Sequence, residues 1–166
     1  MTQYPKSQFW PDASAAARLI ATLPLALGLM IFASPFAHAE DAPAQAEATL
    51  TITFQGIKTP TGAMMVALAA SPEAYADKAE LAGQAIAPVS GPTTTTTFAH
   101  LKPGRYAVKV FHDINSDGKL NMNPFGMPTE PLAFSNNAHG TMGPADWSAA
   151  AFEVKAGANT QTIDID

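Results

Sequence analysis

From Thr49 onward, apolar residues return at every second position in short runs, and turn residues cut each run before it grows long. Leu50, Ile52 and Phe54 fall on one side of an extended chain and Thr49, Thr51 and Thr53 on the other, the pattern of a half-buried strand. Tyr106, Val108 and Val110 alternate in the same way with Ala107, Lys109 and Phe111. Because Phe111 is also apolar, that strand is expected to be central and covered on both faces. Residues 63–69 form a second apolar run beyond the turn Thr59-Pro60-Thr61-Gly62, so the first two strands are expected to pair as a hairpin.

Further runs at 85–89, 93–98, 132–135, 149–154 and 160–165 bring the total to seven or eight strands. Ser71-Pro72-Glu73 offers a cap, a first-turn proline and a first-turn acid, which predicts one short helix ending near Gly83. Many short strands with frequent turns indicate an all-β sandwich or small barrel. Its core is expected to hold Leu50, Ile52, Phe54, Val66, Leu68, Tyr106, Val108, Val110, Phe134, Phe152, Ile163 and Ile165. Trp147 is expected to join that core.

The first 39 residues read differently. Lys6 and Arg18 precede an apolar run over 19–33, and Ala37-His38-Ala39 supplies the small residues of a cleavage site. This order predicts a Sec-type signal peptide over 1–39, a flexible leader over 40–47 and one domain over 48–166. Export to the periplasm or medium follows, with no stable membrane insertion after cleavage, since the run is short of the roughly 20 residues a spanning helix needs. The chain has no cysteine, so no disulfide framework supports it. Taking Lys6, Arg18 and Asp12 away with the signal peptide shifts the formal net charge from −5 to −6. An acidic domain of this kind is a poor ligand for a phosphate backbone, so no nucleic acid is expected as partner.

One stretch carries recognisable chemistry. In Asp113-Ile114-Asn115-Ser116-Asp117-Gly118-Lys119-Leu120-Asn121, oxygen-bearing side chains occupy positions 1, 3, 5 and 9, with glycine at 6. Alternate side chains of a tightly curled loop converge, and Gly118 permits the left-handed backbone the curl needs. The Lys119 carbonyl would add a ligand at position 7. Hard oxygens suit Ca²⁺. At position 12, where a bidentate Glu belongs, stands Pro124, and the entering segment is a strand, so this is no EF-hand. The candidate metal set is Asp113, Asn115, Asp117, Lys119, Asn121 and Glu130, the last folding back from downstream. The competing reading is a metal-free turn, which Asp, Asn and Gly stabilise unaided.

That loop, followed by Gly126-Met127-Pro128-Thr129-Glu130 and by Ala133-Phe134-Ser135-Asn136-Asn137, resembles the DUF2141 family of exported bacterial proteins. Gly143-Pro144, Trp147 and Ala150-Ala151-Phe152 resemble its closing pattern. The resemblance implies a transthyretin-like or immunoglobulin-like sandwich and carries no activity with it. It also marks Asn121 as a departure, since an Asp is usual there, and the departure lowers the charge of any cation site.

Other chemistries fare less well. Met122, Met127 and Met142 near His139 suggest a copper carrier, but no Cys is present for a blue-copper site. Ser135 lacks the glycines of a nucleophile elbow, and His100, His112 and His139 have no acid–base partner close in sequence. The expectation is therefore a non-enzymatic envelope module; the sequence does not name its partner, and a cell-envelope protein or glycan is the candidate. Its alternative is a periplasmic binder of small molecules or carbohydrate that uses the loop face, with Phe134 and Trp147 as candidate lining.

Overall fold

The computed structural model describes residues 47–141 and 143–165. The expected signal peptide and all but Glu47 of the expected leader lie outside the described residues, as does Met142. Eight strands form two sheets. The first has three strands in the order β4 (Thr93–Leu101), β1 (Ala48–Gln55), β8 (Gly157–Asp164). The second runs β3 (Gly83–Pro88), β2 (Ala63–Ala69), β5 (Gly104–Asp113), β6 (Leu132–Phe134), with β7 (Phe152–Val154) also on β5. All pairs are antiparallel except β1 with β8.

The alternation in β1 explains the first sheet. Leu50, Ile52 and Phe54 are fully buried and face the second sheet's Val66, Leu68, Val108 and Val110. The opposite face is a ladder of threonines in register, Thr97–Thr51–Thr160 and Thr95–Thr53–Thr162. β-Branched side chains fit a pleated, solvated surface, and the Thr51 and Thr97 hydroxyls hydrogen-bond at 3.2 Å.

β2 and β5 are apolar on both faces because the second sheet is covered twice. Its outer face packs under the short helices α1 (Pro72–Tyr75) and α2 (Trp147–Ala150), in a cluster of Ala69, Ala74, Tyr75, Ala107, Phe134, Ala145, Ala150 and Ala151. Phe111 is fully buried, as its place on a central strand requires.

Four expectations are corrected. β1 and β2 do not pair; the segment between them crosses from one sheet to the other. An amphipathic strand belongs to a sheet with one wet face and a doubly apolar strand to the covered sheet, so the two separate. The predicted helix starts at the Ser71 cap, where Oγ accepts from the Ala74 N–H at 3.1 Å, but it lasts one turn. The left-handed backbone of Asp77 (φ 57°) follows, and its carboxylate is drawn inward to Lys109. Residues 149–154 split into the end of α2 and the three-residue β7. Finally, the expected core is two clusters. Phe134 belongs to the outer one, where the half-buried Trp147 also packs, and Phe152 is only partly buried against the inner one.

Candidate functional site

Asp113 ends β5, and the chain leaves the sheet there into a loop of twenty residues or so before β6. Its carboxylate is buried, yet both oxygens are engaged: Oδ1 accepts from the Asp117 N–H at 3.2 Å and Oδ2 from the Gly118 N–H at 2.8 Å. Ser116 (φ 61°) and Gly118 (φ 73°) adopt the left-handed backbone that curls the loop, as read for Gly118 from the sequence. Asn115 Oδ1 accepts from the same Asp117 N–H at 3.0 Å, and Asp117 Oδ1 accepts from the Lys119 N–H at 2.9 Å.

The side chains then close on each other. Asn115 Nδ2 donates to Asp117 Oδ2 at 3.2 Å and to Asn121 Oδ1 at 2.9 Å, while Asn121 Nδ2 donates to Asp117 Oδ2 at 3.0 Å. Glu130 folds back as expected, but onto the backbone. Oε1 accepts from the Ile114 N–H and Oε2 from the Asn121 N–H, each at 3.0 Å. The five side chains Asp113, Asn115, Asp117, Asn121 and Glu130 thus form one hydrogen-bonded cluster, while Lys119 is exposed and contributes its N–H.

Among the described residues no three His, Cys, Asp or Glu side chains are placed to hold a metal by themselves. A cation here would depend on amide and carbonyl oxygens beside the carboxylates. Two amide N–H groups meet at Asp117 Oδ2, where positive charge is wanted. The Asn121 amide holds the Asp117 carboxyl below its ordinary range, against a desolvation cost, with the Lys119 N–H, the Asn115 amide and the Lys119 charge adding to it. A depressed pKa stabilises the folded loop above the unfolded value, and that contribution is lost as pH falls through the folded value.

Glu130 is the brace of this loop, since one carboxylate ties its second and ninth positions. The conservative change Glu130→Gln places an NH₂ against one of two backbone N–H groups. Hydrogen bonds to charged groups contribute about 1.5–3 kcal/mol. Urea denaturation should show a loss of that size, without change in the far-UV spectrum.

The element Phe134-Ser135-Asn136-Asn137 fastens the two sheets together. Ser135 is fully buried and donates to the Ala150 carbonyl at 2.7 Å. Asn136, in the left-handed region (φ 58°), caps the end of α2 through the carbonyls of Ala149, Ala150 and Ala151. Asn137 grips β8 twice, donating to Asp164 Oδ2 at 2.6 Å and accepting from the Asp164 N–H at 3.0 Å.

The family model described as "Uncharacterized protein conserved in bacteria (DUF2141)" matches residues 52–162. The chain belongs to the DUF2141 family. No curated protein and no solved structure matches it. The match spans the loop from Asp113 to Asn121, the Glu130 turn and the Ser135–Asn137 clasp, so in this DUF2141 chain the motif residues are tied to structural duties that can be named.

The other candidates separate. His112 is buried and its Nε2 donates to the Thr61 carbonyl at 2.7 Å, whereas His100 is exposed against Glu47 at 2.7 Å. His139 lines a shallow hollow of about 270 Å³ with Leu132, Phe134, Asn137 and Asp164, a lining that includes neither Met122 nor Met127. Trp147 packs edge-on against Tyr75 at 5.8 Å.

Sequence reading missed the pairing of the buried Lys109 with Asp77 at the surface. Lys109 Nζ lies 2.6 Å from Asp77 Oδ1, donates to the Tyr75 carbonyl at 2.9 Å and sits 5.4 Å from the Tyr75 ring centre. A lysine at an outward-alternating position of a central strand was the available signal. The Tyr75 hydroxyl is buried without a hydrogen-bond partner among the described residues, and burial, aided by Asp146 and Asp77, raises its pKa far above the ordinary value. Among the described residues no helix is long and apolar enough to cross a membrane.

Proposed function

We propose that this DUF2141 chain is a non-enzymatic module with a structural or binding role at the cell envelope, exported by a Sec-type signal peptide, whose Asp113–Glu130 loop takes Ca²⁺ as a weak stabilising ligand. The observation that carries the calcium reading is the gathering of Asp113, Asn115, Asp117, Asn121 and Glu130 into one cluster at the mouth of β5. All five supply hard oxygens. The non-enzymatic reading draws support from the buried polar groups. Ser135, His112 and Glu130 spend their polar atoms on backbone partners, and Lys109 on Asp77 and a carbonyl. We further place the fold in the immunoglobulin-like or transthyretin-like class. The Tyr106 hydroxyl donates to the Lys102 carbonyl at 2.7 Å across the β4–β5 corner, an arrangement typical of such sandwiches.

Calcium must displace the amide donors that already neutralise Asp117, so affinity is modest. Extracellular modules bind at about 10⁻⁴–10⁻³ M. At millimolar Ca²⁺ that affinity stabilises the fold by about 0.4–1.4 kcal/mol through mass action. A thermal-shift measurement should show stabilisation with Ca²⁺ on the order of 10⁻² M, where the same affinity gives about 1.4–2.7 kcal/mol, and none with EDTA. Asp117→Ala should remove the calcium-dependent part; in chelator it should lose only the turn hydrogen bonds that its carboxylate accepts. No shift in wild type, or an undiminished shift in Asp117→Ala, makes the loop a metal-free clasp.

A further inference from the structure

We propose that the tip of the long loop, residues 122–128, is a lipid-contacting wedge that seats Phe125 and Met127 in the interfacial layer of a bilayer. Phe125 is 87% exposed, Met127 57% and Met122 41%, three of the four large apolar side chains that the described residues leave exposed. Isolated exposed apolar residues are ordinary, but three on one turn form a patch.

The tip is also held in shape. Met122 and Pro128 form a β-bridge, and Asn123 organises the turn between them. Its Oδ1 accepts from the N–H groups of Phe125 at 2.9 Å and Met127 at 3.0 Å. Its carbonyl accepts from the Gly126 N–H, and its own N–H donates to the Met127 carbonyl. The Thr129 N–H donates to the Asn121 carbonyl. Pro124 and Pro128 have no N–H. From residue 123 to 129, therefore, every backbone N–H has a partner within the loop.

This accounting selects the occupant. A protein partner can offer carbonyls to a docking loop, whereas a lipid interior cannot, so a segment entering lipid must satisfy its own donors. The charges agree. No charged residue lies between Leu120 and Thr129, and Lys119 stands at the base of the tip, where an ammonium suits a headgroup phosphate. The rest of the chain is acidic, which favours a neutral, zwitterionic surface over an anionic one. One Phe and two Met make a marginal anchor, so association should be weak and reversible, on the order of 10⁴ M⁻¹ or less.

The chain has no cysteine, so a single introduced thiol reports from one place. The full chain carrying Met127→Cys, labelled with an environment-sensitive NBD dye, is titrated in EDTA with phosphatidylcholine–phosphatidylethanolamine vesicles. The chelator keeps this result separate from the calcium reading. Thr95→Cys, on the exposed threonine face, carries the same dye as a control. The expected result is a blue-shifted, brighter spectrum at the tip and none at the control. Phe125→Asp in the tip-labelled chain should weaken the response roughly tenfold or more, since it removes one buried apolar side chain and adds a charge. A tip dye that does not respond, an equal response at both positions, an unchanged response with Phe125→Asp, or a blue shift that grows with protein concentration in the absence of lipid would each overturn the proposal, the last in favour of self-association.

Discussion

Gly62→Ala should cost about 2–5 kcal/mol and should disturb the loop that leaves Asp113 beside its own turn. Gly62 has φ 73°, and a Cβ there would lie 1.9 Å from the Asp113 carbonyl oxygen. The left-handed backbone costs an L-residue about 1–2 kcal/mol. The overlap adds at least the roughly 1–3 kcal/mol of an overpacked site. It falls on backbone, so no rotamer relieves it. Ala63 pairs with Asp113 in the sheet, and the Gly62 carbonyl accepts from the Val89 N–H at 3.0 Å, so the turn cannot swing away without opening β2 on both sides. Relief must come from Asp113, whose carboxylate anchors the Asp117 and Gly118 N–H groups. Chemical denaturation should therefore show the large loss, and amide exchange at Asp117 and Gly118 should quicken in the folded variant. A stability within about 1 kcal/mol of wild type would mean that the turn is looser than this close contact implies.

How much of this was legible in the sequence depends on the range over which each signal acts. Period-two runs are local, so β1 and β5 lie where the pattern puts them, and the burial of Phe111 follows from a single break in alternation. The curl of residues 113–121 was equally local, because Asp, Asn and Gly at fixed offsets bond to backbone a few residues on. Partner choice is not local. The turn at 59–62 suggested a hairpin, yet nothing within it says that β1 must pair with β8, more than one hundred residues away in the chain. The only hint was that β1 is amphipathic while β2 is apolar on both faces.

The candidate site divides in the same way. Asp113, Asn115, Asp117 and Asn121 were placed together by spacing, and Glu130 by the need for a further oxygen. That the two asparagine amides would point their N–H groups at Asp117 follows from what holds their oxygens: the Asp117 N–H at Asn115 and the Asn115 amide at Asn121. Lys109 was the plainest omission. A charge on a doubly covered strand requires a partner, and Asp77 supplies it from the turn that ends α1. Removing the partner of a buried charge is costly, but here Asp77 stands partly in water, so only the lysine end is fully desolvated.

Ser135→Ala should cost about 2–4 kcal/mol while leaving the loop of Asp113 intact. The reason lies along one edge of β5. β7 pairs with Gly104–Tyr106 and β6 pairs with Lys109–Phe111, so the ladder is interrupted between Tyr106 and Lys109. The Val108 N–H falls in that gap, in a residue with no exposed surface. Ser135 Oγ accepts from it at 2.8 Å and donates onward to the Ala150 carbonyl at 2.7 Å. One hydroxyl thus completes the edge of the central strand and fastens α2 to it. Alanine keeps the backbone but orphans the Val108 N–H, at about 1–3 kcal/mol, and loses the bond to Ala150, at about 1 kcal/mol. The Ala150 carbonyl keeps the Asn136 amide at 3.2 Å, so its share is the smaller one. Ser135→Thr retains the hydroxyl but adds a methyl where there is no free surface, which separates the hydrogen bond from the packing. If Ser135→Ala unfolds at the same urea concentration as wild type, Val108 has found another acceptor and the edge closes without the serine. If it loses stability as expected, exchange protection of the Val108 amide should fall with it, while that of Ile114 and Asn121, held by Glu130, stays at the level set by the new global stability.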